Sequence, residues 1–154
     1  MLRRGLRQFA TLVRVRKRQE EQRAERLAAA HRLRRRAQAE RDHLEAERRR
    51  MFERAGQAAQ GRMSAAEVRR YYQYERHLAR LADEKDAEIM RLRQTEAERR
   101  AELEEAMKKR RMVERLHERR TESVLREVQR QEQRMSDESG TTRAAAQSKE
   151  GPKG

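Results

Sequence analysis

Apolar side chains recur every three or four residues along most of the chain, the period of one face of an α-helix. In the first half the stripe is Leu6, Phe9, Val13, Leu27, Ala30, Ala37, Leu44, Met51 and Ala55. The positions that complete it are Arg16, Glu20, Arg23, Arg34, Arg41 and Arg48. Small alanines and long arginine stems cover little area, so this seam is weak for a coiled coil. A helix carrying it, predicted over about residues 6–57, needs a partner to be stable.

Gly56 and Gly61 interrupt a stretch otherwise free of glycine and predict a turn over residues 57–64. Ser64 and Glu67 then have the spacing of a capping box, in which the hydroxyl accepts from the N–H of Glu67 and the carboxylate reaches back to the N–H of Ser64. Met63 and Val68 stand where a hydrophobic staple packs. A second helix is therefore predicted over about residues 65–136. Its stripe is Tyr71, Tyr74, Leu78, Leu81, Lys85, Ile89, Leu92, Glu96, Arg99, Leu103, Ala106, Arg110 and Val113, extended by Leu116, Val124 or Leu125, and Val128. Glu45/Arg49, Glu96/Arg100, Glu104/Lys108, Glu105/Lys109 and Glu122/Arg126 are i,i+4 pairs in the favourable order.

A short turn between long helices makes them antiparallel neighbours. The expected fold is all-α, a two-helix antiparallel coiled-coil hairpin over residues 1–138. With the turn centred near Gln60 and Gly61, Leu44 is expected near Leu78, Leu27 near Arg93 and Gln94, and Phe9 near Met112. The second helix is expected to project past the first from about Leu116. Residues 139–154 are polar and aperiodic, and are expected to form a disordered tail.

Composition narrows the class further. The 154 residues include 41 Lys+Arg and 27 Asp+Glu, only five aromatics, and a single proline at position 152. That is too little bulky apolar material for a compact core and too few turn and β-branched residues for a sheet fold. With no cysteine there is no disulfide framework, which fits a reducing compartment. No apolar run is long enough to span a membrane or to serve as a secretory signal. Residues 1–19 hold seven basic side chains and no acid, half of the net charge of +14. This resembles a transit peptide, but the helical stripe runs straight through it. A positive end suits an acidic partner surface, a nucleic acid or a lipid.

Catalytic chemistry is not apparent. His31, His43, His77 and His117 are isolated on arginine-rich helices and are expected to be solvated. His43 and Glu47 share a face, but two ligands do not make a metal site. There is no phosphate loop and no nucleophile with a base at motif spacing. The chain is expected to be no enzyme and to need no cofactor. The arginine runs 34–36, 48–50 and 108–111 are interleaved with glutamate, and no aromatic base-stacking platform accompanies them, so no nucleic acid is expected. Tyr71, Tyr72 and Tyr74 hold three of the five aromatics. Tyr71 and Tyr74 are expected on the seam and Tyr72 outside it. They either plug the hairpin beside the turn or anchor a partner.

These residues carry a resemblance. The basic, leucine-poor first helix, the stretch Arg70-Tyr71-Tyr72-Gln73-Tyr74-Glu75-Arg76-His77-Leu78, and the run from Lys108 through Leu116-His117-Glu118-Arg119-Arg120, followed by the Gln-rich Arg130-Gln131-Glu132-Gln133-Arg134-Met135-Ser136-Asp137-Glu138, are similar to the FliJ family. FliJ proteins are small coiled-coil components of the flagellar type III export apparatus. The resemblance implies a stalk that inserts its termini-bearing end into the hexameric export ATPase. On that end the matching positions are Leu12, Val13, Arg16, Leu116, Arg119 and Gln133. It implies a second contact, to the cytosolic part of the membrane export gate, through Tyr71, Tyr74, Leu78, Leu81 and Lys85. At Leu81 and Lys85 the family often has small or histidine residues instead. Export chaperones are further implied partners, and the implied location is cytoplasmic, peripheral at the inner face of the bacterial membrane. Three other readings compete: the stalk of a virulence type III secretion system, a generic parallel coiled-coil scaffold, and a nucleic-acid-binding helical protein. The turn argues against the parallel scaffold.

Overall fold

A computed structural model describes residues 2–61 and 63–151 of the chain. It contains two long helices, α1 (Leu2–Gln60) and α2 (Ala65–Lys149), and no strand among the described residues. By contact the chain forms two units. One is residues 19–106, which contains the turn; the other is residues 1–18 together with 107–154. In each unit a stretch of α1 packs against a stretch of α2.

In the unit of residues 19–106 the core is one residue thick. Its buried apolar side chains are Ala30, Ala37, Ala55 and Ala58 from α1 and Leu78, Ala82 and Ile89 from α2. The other predicted stripe positions of α1 in this unit are half-buried or better, including the charged ones. The α2 seam differs from expectation at two places. Glu75 is buried and Tyr74 exposed; Ala82 is buried and Leu81 half-buried. A strict alternation of four and three steps from Tyr71 runs through Glu75, Leu78, Ala82, Lys85 and Ile89. The helical phase therefore prevails over hydrophobicity at these positions.

The turn is tighter than expected. α1 continues through Gly56 to Gln60, because Ala55 and Ala58 bury one face there, and it closes with the N–H of Gly61 donating to the Ala58 carbonyl (3.3 Å). α2 starts at Ala65, as the cap predicts. The Glu67 N–H donates to Ser64 Oγ (3.3 Å), and the Val68 N–H to the Ser64 carbonyl (3.2 Å). The return bond from the Ser64 N–H to the Glu67 carboxylate is not made, so half of the capping box is formed.

The later turn moves the register. Arg48 meets Glu75, Arg41 meets Asp86 and Arg23 meets Glu102. Residues of α1 therefore face positions about one helical turn further along α2 than the pairs Leu44–Leu78 and Leu27–Arg93 would require. Moving the centre of the turn by two residues moves the facing partner by twice that amount.

The unit of residues 1–18 and 107–154 is thinner still. Its single buried apolar side chain among the described residues is Val113. Lys17 reaches Glu114 at 3.8 Å, and Glu114 also accepts from Arg110. Half-buried positions continue along α2 at seam spacing through His117, Thr121, Val124 and Glu127. The unaccompanied stretch of α2 thus begins at Val128, later than Leu116, because α1 reaches back to Leu2 and the register is displaced. Residues 139–149, expected to be without regular structure, continue α2 with every side chain exposed. No proline interrupts the chain before position 152, and Thr141 and Thr142 return hydroxyl bonds to the carbonyls of Asp137 (2.7 Å) and Glu138 (2.8 Å). Residues 152–154 of the expected tail lie outside the described residues.

Candidate interaction surfaces

The seam of the turn-bearing unit is tied by ion pairs rather than by bulky side chains. Glu96 of α2 is 7% exposed and sits at a seam position. Its Oε2 accepts from Arg34 Nε and its Oε1 bonds His31 Nδ1 at 2.9 Å, both from α1. The His31 bond, with Arg34 beside it, holds the Glu96 carboxyl below the usual carboxylate range. His31, expected to be solvated, is thus half-buried in a charged cluster. Its partner lies 65 positions away, beyond the reach of any local spacing rule. Glu75 accepts from Arg48 at 2.6 Å, which raises the Arg48 guanidinium further above its ordinary value. Lys85 binds Glu40 (2.6 Å) and Glu88 (2.9 Å). Those bonds push the Lys85 ammonium up, and the bond from Lys85 pulls the Glu40 carboxyl down.

These pairs bear directly on the expected gate-side set. Tyr74 is 43% exposed, while Leu78 is 2% exposed and faces into the seam. Leu81 is half-buried, and Lys85 is held by its two carboxylates. Tyr71 and Tyr74 line a shallow groove of about 420 Å³ with Met51, Met63, Glu67 and Arg70. Tyr72, expected outside the seam, is half-buried and meets Phe52 of α1 edge-on, with ring centroids 6.0 Å apart. Tyr74 lies near the His77 ring instead. Met51, Phe52 and Met63 are neighbours of the tyrosines that reading along the chain missed. Only the fold across the turn joins them.

The expected ATPase-side set falls in the other unit. Leu12, Leu116, Arg119 and Gln133 are exposed, and Val13 and Arg16 are half-buried. Leu116 and Arg119 line a groove of about 430 Å³ with Lys108, Arg111, Met112 and Arg115. Gln133 stands on the unaccompanied stretch of α2, donating to Asp137 at 3.2 Å. The structure thus separates the two expected sets, one in each unit.

Among the described residues no cluster of three or more His, Cys, Asp or Glu could hold a metal, and no helix is long and apolar enough to cross a membrane. The grooves are open and lined mainly by arginine, glutamate, methionine and tyrosine side chains.

No curated protein and no solved structure matches the chain. The family described as Flagellar FliJ protein matches residues 6–149, nearly the whole of the two helices and the turn between them. This match shows that the chain belongs to the FliJ family, as a component of the flagellar export apparatus.

Proposed function

We propose that this chain is the non-enzymatic stalk of the flagellar type III export apparatus. Residues 1–18 and 107–149 engage the hexameric export ATPase through Leu12, Val13, Arg16, Leu116, Arg119 and Gln133. The turn-bearing unit contacts the cytosolic part of the export gate through the groove of Tyr71 and Tyr74. Leu78, Leu81 and Lys85, further along α2, complete the gate-side set, Leu78 from within the seam and Lys85 beside Glu40 and Glu88. The two units so couple the ATPase to the gate, and the nucleotide chemistry belongs to the ATPase. The protein works in the cytoplasm, peripherally at the membrane through the gate, and export chaperones are further partners.

The observation that carries this reading is the family match over residues 6–149, joined to the placement of the two residue sets in separate units. α2 runs without interruption from Ala65 to Lys149, so one helix bears residues of both sets. The decisive experiment measures ATP hydrolysis by the purified export ATPase titrated with the chain. The unmodified chain is expected to stimulate hydrolysis, and a variant with Arg16→Glu and Arg119→Glu is expected to shift the titration to higher concentration. Equal curves would move the contact elsewhere, and no stimulation by either would sink the stalk reading.

A further inference from the structure

The net charge of +14 is not shared between the units. Residues 1–18 and 107–154 hold 20 Lys+Arg against 8 Asp+Glu, whereas residues 19–106 hold 21 against 19. An excess of twelve positive charges therefore sits on the termini-bearing unit.

The placement of this charge is specific. On α1 the seam runs through Leu6, Phe9 and Val13, and helical spacing puts Arg4, Arg7, Arg14 and Arg18 on the opposite face. All four are exposed, and the first acid of the chain is Glu20. On α2 the seam runs through Val113 and His117, and Lys108, Arg111, Arg115 and Arg119 lie on the opposite face, again exposed. They surround Met112 and Leu116, which are 63% and 45% exposed. These eight cations have no ion-pair partner within the described residues of the chain. Like charges three and four apart weaken a helix, so folding gives no reason for them. At the seam of the turn-bearing unit, by contrast, Arg23, Arg34, Arg41, Arg48 and Lys85 each meet a carboxylate.

Faces opposite the seam on two antiparallel helices point away from each other. A flat bilayer or one side of a duplex reaches only one of them at a time. We infer that the termini-bearing unit is enclosed by an acidic protein wall. Carboxylates of the wall meet both arginine faces, and apolar side chains of the wall meet Met112 and Leu116. This rests on the stalk reading and specifies the chemistry that the ATPase must present to the stalk.

The test uses two variants of the full chain. One carries Arg4, Arg7, Arg14 and Arg18→Gln; the other carries Lys108, Arg111, Arg115 and Arg119→Gln. Circular dichroism is expected to show both as helical as the parent, since the altered side chains make no ion pair among the described residues. Binding to the purified export ATPase is measured between about 0.05 and about 0.5 M salt. Each variant alone is expected to weaken low-salt binding about tenfold and to flatten its salt dependence. Loss in one variant only would mean a one-sided contact and would overturn the enclosure. Binding unaffected in both would overturn the acidic wall while leaving the stalk reading intact. Failure of the unmodified chain to bind at any salt would remove the stalk reading and the inference with it. The same variants are measured against vesicles rich in anionic lipid and against duplex DNA. If either of these, and not the ATPase, proves sensitive to the substitutions, the occupant is not a protein wall.

Discussion

Replacing Leu78 by alanine tests the seam directly. The side chain is 2% exposed on the described structure, the most enclosed of the large apolar groups. Arg48 reaches Glu75 and Arg41 reaches Asp86, so Leu78 lies across from the stretch of α1 between those arginines. Leu78→Ala removes three buried carbons, worth about 0.8 kcal/mol each, or roughly 2.4 kcal/mol of transfer free energy. The cavity term adds little here, because the seam is one residue thick and its neighbours can close inward; the expected loss is about 2–3 kcal/mol, at the low end for such changes. For a chain of this size that lowers the melting temperature by roughly 5–10 °C. Tyr74→Ala, four positions away and 43% exposed, is expected to cost about 0.5 kcal/mol or less. Urea and thermal unfolding followed by circular dichroism measure both. A melt of Leu78→Ala equal to the parent, with Tyr74→Ala strongly destabilised, would place Tyr74 rather than Leu78 in the seam and refute the phase argument.

Three further outcomes are expected. Glu96→Gln should cost about 1–3 kcal/mol, since Arg34 and His31 lose their charged acceptor. The Glu96 carboxyl is depressed in the folded state, so its contribution is complete above the ordinary carboxylate value and is lost as pH falls through the folded one. Parent and variant melts should therefore converge in acid, and a gap that widens there would contradict the assignment. Ser64→Ala should cost about 0.5–1 kcal/mol, the lower part of the range for a lost N-cap, because the bond to Glu67 is long and the box is half-formed; an unchanged denaturation midpoint would mean that the cap contributes nothing. Truncation after Met135 should leave the unfolding temperature unchanged within error while removing helical signal, since every described side chain beyond it is exposed; a lowered temperature would reveal packing onto that stretch.

The legibility of the chain follows from which forces are local. The α1 seam as far as Ala55, charged positions included, could be read from spacing, because a helix repeats its faces whatever residues occupy them; Ala58 lay beyond the predicted end. The α2 seam was legible from Lys85 to Val113; beyond it Leu116 and Val128 are exposed, and His117 and Glu127 hold the half-buried positions. The apolar pattern also failed at Tyr74 and Leu81, where the apolar residue stood next to the position the helical phase selects, Glu75 and Ala82. The turn signal was sound, but Gly56 drew the end of α1 too early; a glycine whose flanking alanines are buried stays helical. The half-burial of His31 and the edge-on contact of Tyr72 with Phe52 depend on partners across the hairpin, which register alone supplies. The extension of α2 to Lys149 is not legible in the sequence, because a stretch that packs on nothing carries no stripe. The charge imbalance between the units was half visible. The acid-free first 19 residues were plain, but the cationic face from Lys108 to Arg119 joins them only once contacts divide the chain.

The alanines of α1 have a mechanical consequence. Ala30 and Ala37 are one heptad apart and nearly alike in size and burial, so sliding α1 by seven residues would exchange one for the other at almost no steric cost. Shape therefore does little to index the two helices against each other. Charge supplies the index at particular pairs: a slide that puts Arg41 in the place of Arg34 and Glu47 in that of Glu40 would still leave Glu75 without Arg48 and Glu102 without Arg23. The pairing behaves as a vernier whose marks are ionic. Its resistance to axial slip should soften as added salt screens those marks, whereas a leucine zipper of the same length would hold its alignment by interlocking bulk.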